Sequence, residues 1–416
     1  MPTSSIKYVA VEEYIATIKQ EVKARLEVEE APINSLTGRI LAEDITSQTN
    51  LPPHAKSLID GYAVKSEDTA DATDSHPAKL KIIGKIELEK QPNIEVKNTE
   101  ACYIPTGGFM PKGADSAVKV EDVMVSDDDL VTLSAPVQAG EHVTPAGRDV
   151  SKDQVVFRRG RKVRSEDIAL LTALEIWSIK VVKRLRVAIL SVGDELTDRI
   201  EATGEKRFAG ISLAIASLVT EAGGEPVLMG VVPDDEAAIR GKIREGLDSA
   251  EALLTIGGTS KGPKDLVANA IDRSGSPGLI LHGIDIVPGR VSGLGVVDGK
   301  PIVMMPGLIQ STVVAFYFIA LPAIRQICGL NPEPSFKQVQ VPIADDVTLR
   351  TPTTFRKLLF VKLVNRGGGT AAQPLSKVGE ASLMKPVADA DGFIVLPARV
   401  TSISRGEYVT VNLLHT

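Results

Sequence analysis

The residues with the clearest chemical potential lie in one turn, Gly257-Gly258-Thr259-Ser260-Lys261-Gly262-Pro263-Lys264-Asp265. It follows an apolar run that reads as a strand and opens a segment that reads as a helix. Glycines let a backbone approach an anion, a helix start offers free N–H groups, and Ser260 and Lys261 add a hydroxyl and a positive charge. No Gly-Lys-Ser/Thr closes the turn, so it is not a Walker A loop, and it does not match Gly-x-Gly-x-x-Gly either. A glycine-rich connection without a ligand is the plainer alternative. Lys261 would be odd in such a connection, so the turn reads as a cradle for a phosphorylated small molecule.

A second constellation is acidic: Asp194, Glu195, Asp234, Asp235 and Asp265. Oxygen ligands suit Mg²⁺, which is usually held by one or two carboxylates together with substrate phosphates. Each acid also has a plainer role. Asp234 or Asp235 fits a helix N-cap, Asp194 a turn, and Asp265 the first turn of a helix, where the dipole favours negative charge. Taken singly, the plainer role suffices for all but Glu195 and Asp265. Convergence of strand ends would turn Glu195, Asp235 and Asp265 into a metal site.

What must position these groups is a run of alternating elements. Strand-like segments at 187–191, 225–232, 252–256, 279–287 and 302–304 alternate with helical segments at 211–222, 235–247, 264–273 and 310–328. Such alternation implies an open, doubly wound, mostly parallel α/β sheet with helices on both faces. Ligands of such sheets bind outside the carboxyl ends of the strands. Those ends are Gly193-Asp194-Glu195, Pro233-Asp234-Asp235, the 257–265 turn, Pro288-Gly289-Arg290 and Pro306-Gly307, and they should meet at one crevice.

On either side the patterning changes. Helices are expected over 11–26, near 34–41, and over 165–174, the last capped by Ser165. Ile59-Asp60-Gly61-Tyr62-Ala63-Val64 reads as a turn into a strand. Short β runs at 80–86, 101–104, 116–123 and 130–133 make the block from 79 to 137 mainly β. After Asn331-Pro332-Glu333-Pro334, runs at 339–343, 355–364, 392–396 and 407–413 form a small C-terminal β domain. The expected boundaries are 1–47 with 141–182 for a linking region with helices, then 48–140, 183–330 and 331–416.

At 416 residues the chain exceeds one ordinary core, and about 150 residues per domain suggests two to four domains. Its hydrophobic fraction of 43% and charged fraction of 24% are those of a soluble globular protein. A net charge of -6 and an aromatic content of 4% argue against nucleic acid as a partner. Cys102 and Cys328 belong to no metal or redox motif and read as reduced core residues. No continuous apolar stretch marks a signal peptide near the N-terminus, and the most apolar run, 313–324, is shorter than the roughly 20 residues of a membrane span. The expectation is a cytoplasmic protein. His54, His76, His142, His282 and His415 lack ligand spacing and read as structural or solvated.

Taken in order, several short motifs resemble the molybdopterin molybdenumtransferase family, which includes the MoeA proteins and the E domain of gephyrin. The carriers are Leu51-Pro52-Pro53, Asp60-Gly61-Tyr62-Ala63, Thr106-Gly107-Gly108 and Pro111-Lys112-Gly113-Ala114-Asp115. They continue with Gly147-Arg148-Asp149, Gly193-Asp194-Glu195-Leu196, Val232-Pro233-Asp234-Asp235 and Gly257-Gly258-Thr259-Ser260 with Gly262 and Asp265. Each is weak alone, but their order and spacing are specific and span almost the whole chain. The resemblance implies a MoaB/MogA-like α/β domain within an elongated four-domain subunit. It also implies a homodimer whose active site lies between the α/β domain of one subunit and the second domain of the other.

The implied chemistry is hydrolysis of adenylylated molybdopterin with Mg²⁺ and insertion of molybdate, or tungstate, into the dithiolene. Carried over position by position, Asp60, Thr106, Asp149, Glu195 and Asp265 are the expected catalytic residues. Gly257, Gly258, Ser260, Lys261, Gly262, Arg290, Pro306 and Gly307 would bind the pterin nucleotide, and Glu195, Asp235 and Asp265 the metal. The chain departs from the family pattern in three places, one of them the loop Arg207–Ser212, which lacks the family's usual asparagine. Val287-Pro288-Gly289-Arg290-Val291 replaces Lys-Pro-Gly-Lys-Pro, which exchanges a point charge for a planar fork. Pro306-Gly307-Leu308-Ile309 replaces Pro-Gly-Asn-Pro, which removes a hydrogen-bonding side chain. A non-catalytic molybdopterin-binding or delivery homologue of the same fold is therefore the alternative reading, and a scaffold role ranks below both.

Overall fold

The computed structural model describes residues 6–88, 90–199, 206–259, 265–349, 354–377 and 380–414. These fall into two compact units, Glu30–Val181 and the rest of the chain.

The larger unit begins with α1 (Val11–Glu21), which buries Val11, Tyr14, Ile15 and Ile18 at the three- and four-residue spacing of one helical face. The Tyr14 hydroxyl, wholly buried, donates to the carbonyls of Ser292 (3.1 Å) and Gly283 (3.3 Å). It thereby pins α1 to the loop that carries Arg290.

The α/β sheet consists of β1 (Arg186–Val192), β2 (Glu225–Val232), β3 (Ala252–Gly257), β4 (Pro277–His282), β5 (Gly293–Val297) and β6 (Lys300–Met305), in the order β2-β1-β3-β6-β5-β4. The pairs β2/β1, β1/β3 and β3/β6 are parallel. The pairs β6/β5 and β5/β4 are antiparallel, so β4 again runs in the direction of β6. Helices α2 (Gly210–Glu221), α3 (Glu236–Ser249), α4 (Leu266–Asp272) and α5 (Ile309–Ala315) fill the connections. Ala188, Leu190 and Val192 of β1 pack with Ile239 and Ile243 of α3 and Val267 and Ile271 of α4. The alternate residues Val187 and Ile189 are equally buried, as a strand covered on both faces requires.

The expected mostly parallel sheet is present, with particulars that differ. The single run expected over 279–287 is two strands, because Gly283 turns the chain with a φ of 107° and a Cβ there would meet Ile6 Cγ2 at 2.5 Å. The second piece, Ile286–Val287, leaves the α/β sheet and pairs in parallel with Arg356–Arg366. β5, absent from the expected pattern, closes a hairpin with β6. The closing helix expected over 310–328 contains one wide π turn, Phe316–Ala320, just before Pro322, whose ring and missing N–H disturb the preceding turn.

The C-terminal sheet has the order 286–287, 356–366, 392–396, 408–413, 338–342, with Gly369–Pro374 also paired to Arg356–Arg366. Its core contains Leu359, Val361, Ile394, Leu396 and Val411. Gly369–Pro374 was not expected; it returns from a tip where Gly367 and Gly368 take positive φ. Arg356 opens the long strand and donates to Asp285 (2.8 Å) and Glu12 (3.1 Å), joining three segments distant in sequence.

In Glu30–Val181 a six-stranded sheet has the order 116–119, 61–64, 100–104, 78–85, 130–133, 124–125. A separate core gathers Leu36, Leu41, Ile45, Phe157, Leu171, Ile179 and Val181. Instead of a helix over 34–41 there is a 3-10 turn, Ile33–Ser35, held between Pro32 and Gly38, whose φ is 81°. The helix Ser165–Ala173 is capped at Arg164 and not by the Ser165 side chain. Asp167 accepts the Arg164 amide at 3.0 Å and the Arg161 guanidinium at 2.7 Å.

Candidate functional site

In the α/β unit the strand ends meet as their direction requires. Gly257 ends β3 with a φ of 90°, and a Cβ there would stand 2.4 Å from the Val192 carbonyl of β1. Gly258, at a φ of 65°, would collide with Val192 Cγ1 at 2.6 Å and Val267 Cγ2 at 2.7 Å. These two glycines are thus demanded by packing of the turn between β1 and α4, whatever ligand the turn receives. A Cβ at Gly307 would lie 3.4 Å from Gly257 Cα, so the turns after β3 and β6 run side by side. Pro306 is fixed through its carbonyl, which accepts the Thr312 hydroxyl at 2.6 Å. Arg290 follows Gly289, which packs against Val314 and Ser311 of α5. The structure therefore brings Gly257, Gly258, Pro306 and Gly307 together and seats the Arg290 loop on the helix that Pro306-Gly307 opens. Ser260, Lys261 and Gly262 lie outside the described residues.

The carboxylates divide by commitment. Asp235 caps α3, accepting the Ala238 amide at 2.8 Å, and Asp265 caps α4, accepting the Ala268 amide at 3.0 Å. Asp194 and Asp234 brace each other's loops: the Asp234 amide donates to Asp194 Oδ1 at 3.2 Å and the Asp194 amide to Asp234 Oδ2 at 3.4 Å. Glu195 is exposed, and its Oε2 folds to 2.6 Å from where a Gly193 Cβ would stand, so that glycine leaves it room. Asp265 is the buried one, at 4% exposure. Among the described residues no three His, Cys, Asp or Glu side chains group to hold a metal ion, so Glu195, Asp235 and Asp265 do not form the three-carboxylate site expected of them. Two of the three spend an oxygen on helix capping, and caps point along their own helices.

One partner of Asp265 was not foreseen. His282, the last residue of β4, places Nε2 3.5 Å from Asp265 Oδ2. Burial pushes its pKa down, while the Asp265 charge pulls the other way. The available signal was position: a strand running parallel to β6 ends at the same edge of the sheet as β1 and β3.

In Glu30–Val181 the expected residues share one cluster of loops. Asp60 Oδ1 accepts the Thr106 amide at 2.8 Å. The Thr106 turn is held to Ser57 by paired backbone bonds, Gly107 N to Ser57 O (2.8 Å) and Ser57 N to Gly108 O (2.9 Å). Asp149 lies across from Leu51-Pro52: its amide donates to the Leu51 carbonyl at 3.0 Å, and the Gly147 amide to the Pro52 carbonyl at 3.0 Å. Lys56 stands over the Phe109 ring and His54 meets that ring edge-on. Asp60, Thr106 and Asp149 are all exposed, so hydroxyl and carboxylates face solvent along the 50–60 segment. Asp115, by contrast, is structural. Burial would raise its pKa, yet bonds from the Ser66 hydroxyl and amide, both 2.7 Å, and from the Ser116 hydroxyl hold it below the usual range.

These features define a multidomain protein in which a glycine-lined crevice of an open α/β sheet accompanies an acidic loop cluster and a C-terminal β domain. Three family models match in succession: the MoeA N-terminal region (domain I and II) over 9–174, a model described as "Probable molybdopterin binding domain" over 188–326, and the MoeA C-terminal region (domain IV) over 342–414. A crystal structure titled as a molybdopterin biosynthesis MoeA protein from Pyrococcus horikoshii superposes with a TM-score of 0.83 at 31% identity, covering 99% of this chain and 100% of that one. A molybdopterin biosynthesis protein of Methanocaldococcus jannaschii is 29% identical across 100% of this chain and 98% of its own. The molybdopterin molybdenumtransferase of Bacillus subtilis is 27% identical over 90% of this chain and 87% of the relative. The chain belongs to the MoeA family. Among the described residues no helix is long and apolar enough to cross a membrane.

Proposed function

We propose that this protein is a molybdopterin molybdenumtransferase of molybdenum cofactor biosynthesis, which hydrolyses adenylylated molybdopterin and inserts molybdate or tungstate into the dithiolene. The observation that carries the reading is the meeting of Gly257-Gly258 with Pro306-Gly307 at the strand ends, within a chain that matches the family from end to end. Two adjacent turns without side chains admit a flat or phosphorylated ligand to main-chain groups. Arg290 supplies a planar, permanently charged donor for a phosphate. In this reading Asp265 takes the proton of the water that displaces AMP, and Glu195 orients that water. Ser260, Lys261 and Gly262 contribute to binding, and Asp60, Thr106 and Asp149 act on the same substrate from a second subunit of a homodimer. Magnesium would enter with the substrate's phosphates, with Glu195, Asp235 and Asp265 as the carboxylates nearest to hand. The four-part division at 48, 141, 183 and 331 and a cytoplasmic location belong to the same reading.

Purified protein given adenylylated molybdopterin, Mg²⁺ and molybdate should release AMP, and Asp265→Asn should stop release while leaving the melting curve in place. No AMP release at any metal concentration would sink the catalytic reading. Leu308, exposed at 47%, favours a second reading, since it stands where the resemblance has a polar asparagine. That reading is a non-catalytic protein that stores or delivers the pterin, and calorimetry showing tight pterin binding without turnover would establish it.

A further inference from the structure

The 283–292 loop that carries Arg290 closes on itself and is gripped from two directions. The Gly283 amide donates to the Ser292 carbonyl at 2.8 Å, and the Ile284 amide to the Arg290 carbonyl at 3.1 Å. At the neck the Tyr14 hydroxyl lies 3.1 Å from the Ser292 carbonyl and 3.3 Å from that of Gly283, which share its one hydrogen. From the C-terminal sheet, the Arg356 guanidinium binds both oxygens of Asp285, at 2.8 and 3.1 Å. The same guanidinium holds Glu12 at 3.1 and 3.2 Å. Helix α1 therefore reaches the loop twice, directly through Tyr14 and through Glu12 by way of Arg356.

Packing alone does not call for the Tyr14 hydroxyl. Phenylalanine would fill the same wholly buried space without stripping water from a phenol. What a satisfied buried polar group adds is a single fixed arrangement. Burial, with the Glu13 charge adding to it, pushes the Tyr14 pKa up, so the phenol keeps its proton and remains a donor. The arrangement it fixes presents Arg290, whose guanidinium is engaged by no carboxylate among the described residues. An arginine loses side-chain freedom when it binds a ligand, and a backbone already held beneath it keeps that loss from growing.

We propose that Tyr14 is a positioning residue for Arg290: its buried hydroxyl, seconded by Arg356 on Asp285, holds the 283–292 loop in the conformation from which Arg290 meets a phosphate group of the substrate. The inference rests on the transferase reading for the identity of that substrate, but not for the hold on the loop.

The test uses full-length protein carrying Tyr14→Phe, which keeps the ring and removes only the hydroxyl. Tyr14→Phe is expected to raise KM for adenylylated molybdopterin in AMP release by about fivefold or more with kcat within about twofold, the signature of lost uniform binding. Arg290→Ala should raise KM at least as much, and adding Tyr14→Phe to it should raise KM little further, because the loop then has no arginine to present. A parental KM in Tyr14→Phe, or two effects that multiply, overturns the proposal. If the parent releases no AMP, the transferase reading has failed and amide hydrogen exchange decides the hold on the loop. Exchange should quicken by about tenfold in peptides spanning 283–292 of Tyr14→Phe, while peptides of β1 and β3 keep the parent's rates. Unchanged exchange at 283–292 overturns the proposal whatever the activity. Faster exchange throughout, β1 and β3 included, also overturns it, since Tyr14 would then serve stability in general.

Discussion

Asp60 and Thr106, 46 positions apart, are joined by a hydrogen bond of 2.8 Å from the Thr106 amide to Asp60 Oδ1. The bond fixes the Pro105–Gly108 turn against the strand Gly61–Val64 and leaves the second carboxylate oxygen and the Thr106 hydroxyl facing solvent. A structural and a chemical role for Asp60 separate by substitution. Asp60→Ala removes the acceptor and should cost about 1 kcal/mol, the usual net worth of one hydrogen bond. Asp60→Asn keeps an acceptor oxygen and should melt like the parent. If the charge serves the reaction, both should lower AMP release by about tenfold or more. Thermal melts beside a turnover assay separate the two roles, and full activity in Asp60→Asn would make the residue a turn-former only.

Glycine has opposite meanings at two positions. A Cβ on Gly61 would sit 1.8 Å from the Val118 carbonyl across a strand pair, and neither backbone can retreat without breaking the pairing. Gly61→Ala should therefore destabilise by about 3 kcal/mol or more, as forced overpacking does. Gly241, inside α3, has nothing within 4 Å of its ideal Cβ. Gly241→Ala should stabilise by about 0.5–1 kcal/mol, the difference in helix propensity. Denaturant unfolding of the two variants side by side checks both signs.

Legibility followed the physics of each signal. The alternation of apolar strands with amphipathic helices survives in the sequence because each element must bury its own face, and Glu225–Val232 and Gly392–Leu396 lie where the patterning puts them. The turn at 257–265 was legible because glycines at a strand end are few and costly. The C-terminal hairpin strand Gly369–Pro374 was not, since its tip of consecutive glycines reads as a loop. Side-chain direction was the larger loss. Sequence places Glu195, Asp235 and Asp265 at strand ends and allows a helix-start role for the last two, but it does not choose between capping and ligand binding, and the structure shows both aspartates capping. For the same reason His282 looked structural, because its partner lies on a different element and only the sheet order brings them together.

Asp167 carries a pH signature. Its burial alone would raise its pKa, but bonds from Arg161 and the Arg164 amide outweigh that and hold the carboxyl below its ordinary value of 3.8. A folded pKa below the unfolded one means that the stabilisation is present above the unfolded value and is lost as pH falls through the folded one. Arg161 stays partly exposed, so Asp167→Asn leaves no fully buried charge and should cost about 1–3 kcal/mol near neutral pH. The gap between parent and variant should narrow below about pH 4, where the parent's carboxyl also takes up its proton. Melts from neutral to acid pH should show the two curves converging. A gap that stays constant would mean that the Arg161 bonds contribute nothing specific to the ionised form.

Leu308 is the N-cap of α5, with extended backbone at φ -106° and ψ 126°; its side chain caps no amide, while the Gln310 amide of the first turn donates to the Ala381 carbonyl at 3.2 Å. Its own side chain is 47% exposed, so leucine gains little from burial there. Thr312 closes the turn from the other direction, donating its hydroxyl to the carbonyls of Pro306 and Leu308, so the backbone is already set in the geometry a cap needs. Leu308→Asn should place an acceptor on an amide of the first turn and stabilise the helix start by about 1 kcal/mol. For a unit of this size that corresponds to a rise in Tm of about 2–4 °C. The same change restores a hydrogen-bonding group beside Gly307 at the mouth of the crevice. Turnover rising together with Tm would mean that leucine limits the chemistry, whereas a higher Tm with unchanged turnover would confine the effect to the helix. An unchanged or lower Tm would show that the start of α5 is already satisfied and that the cap argument is wrong.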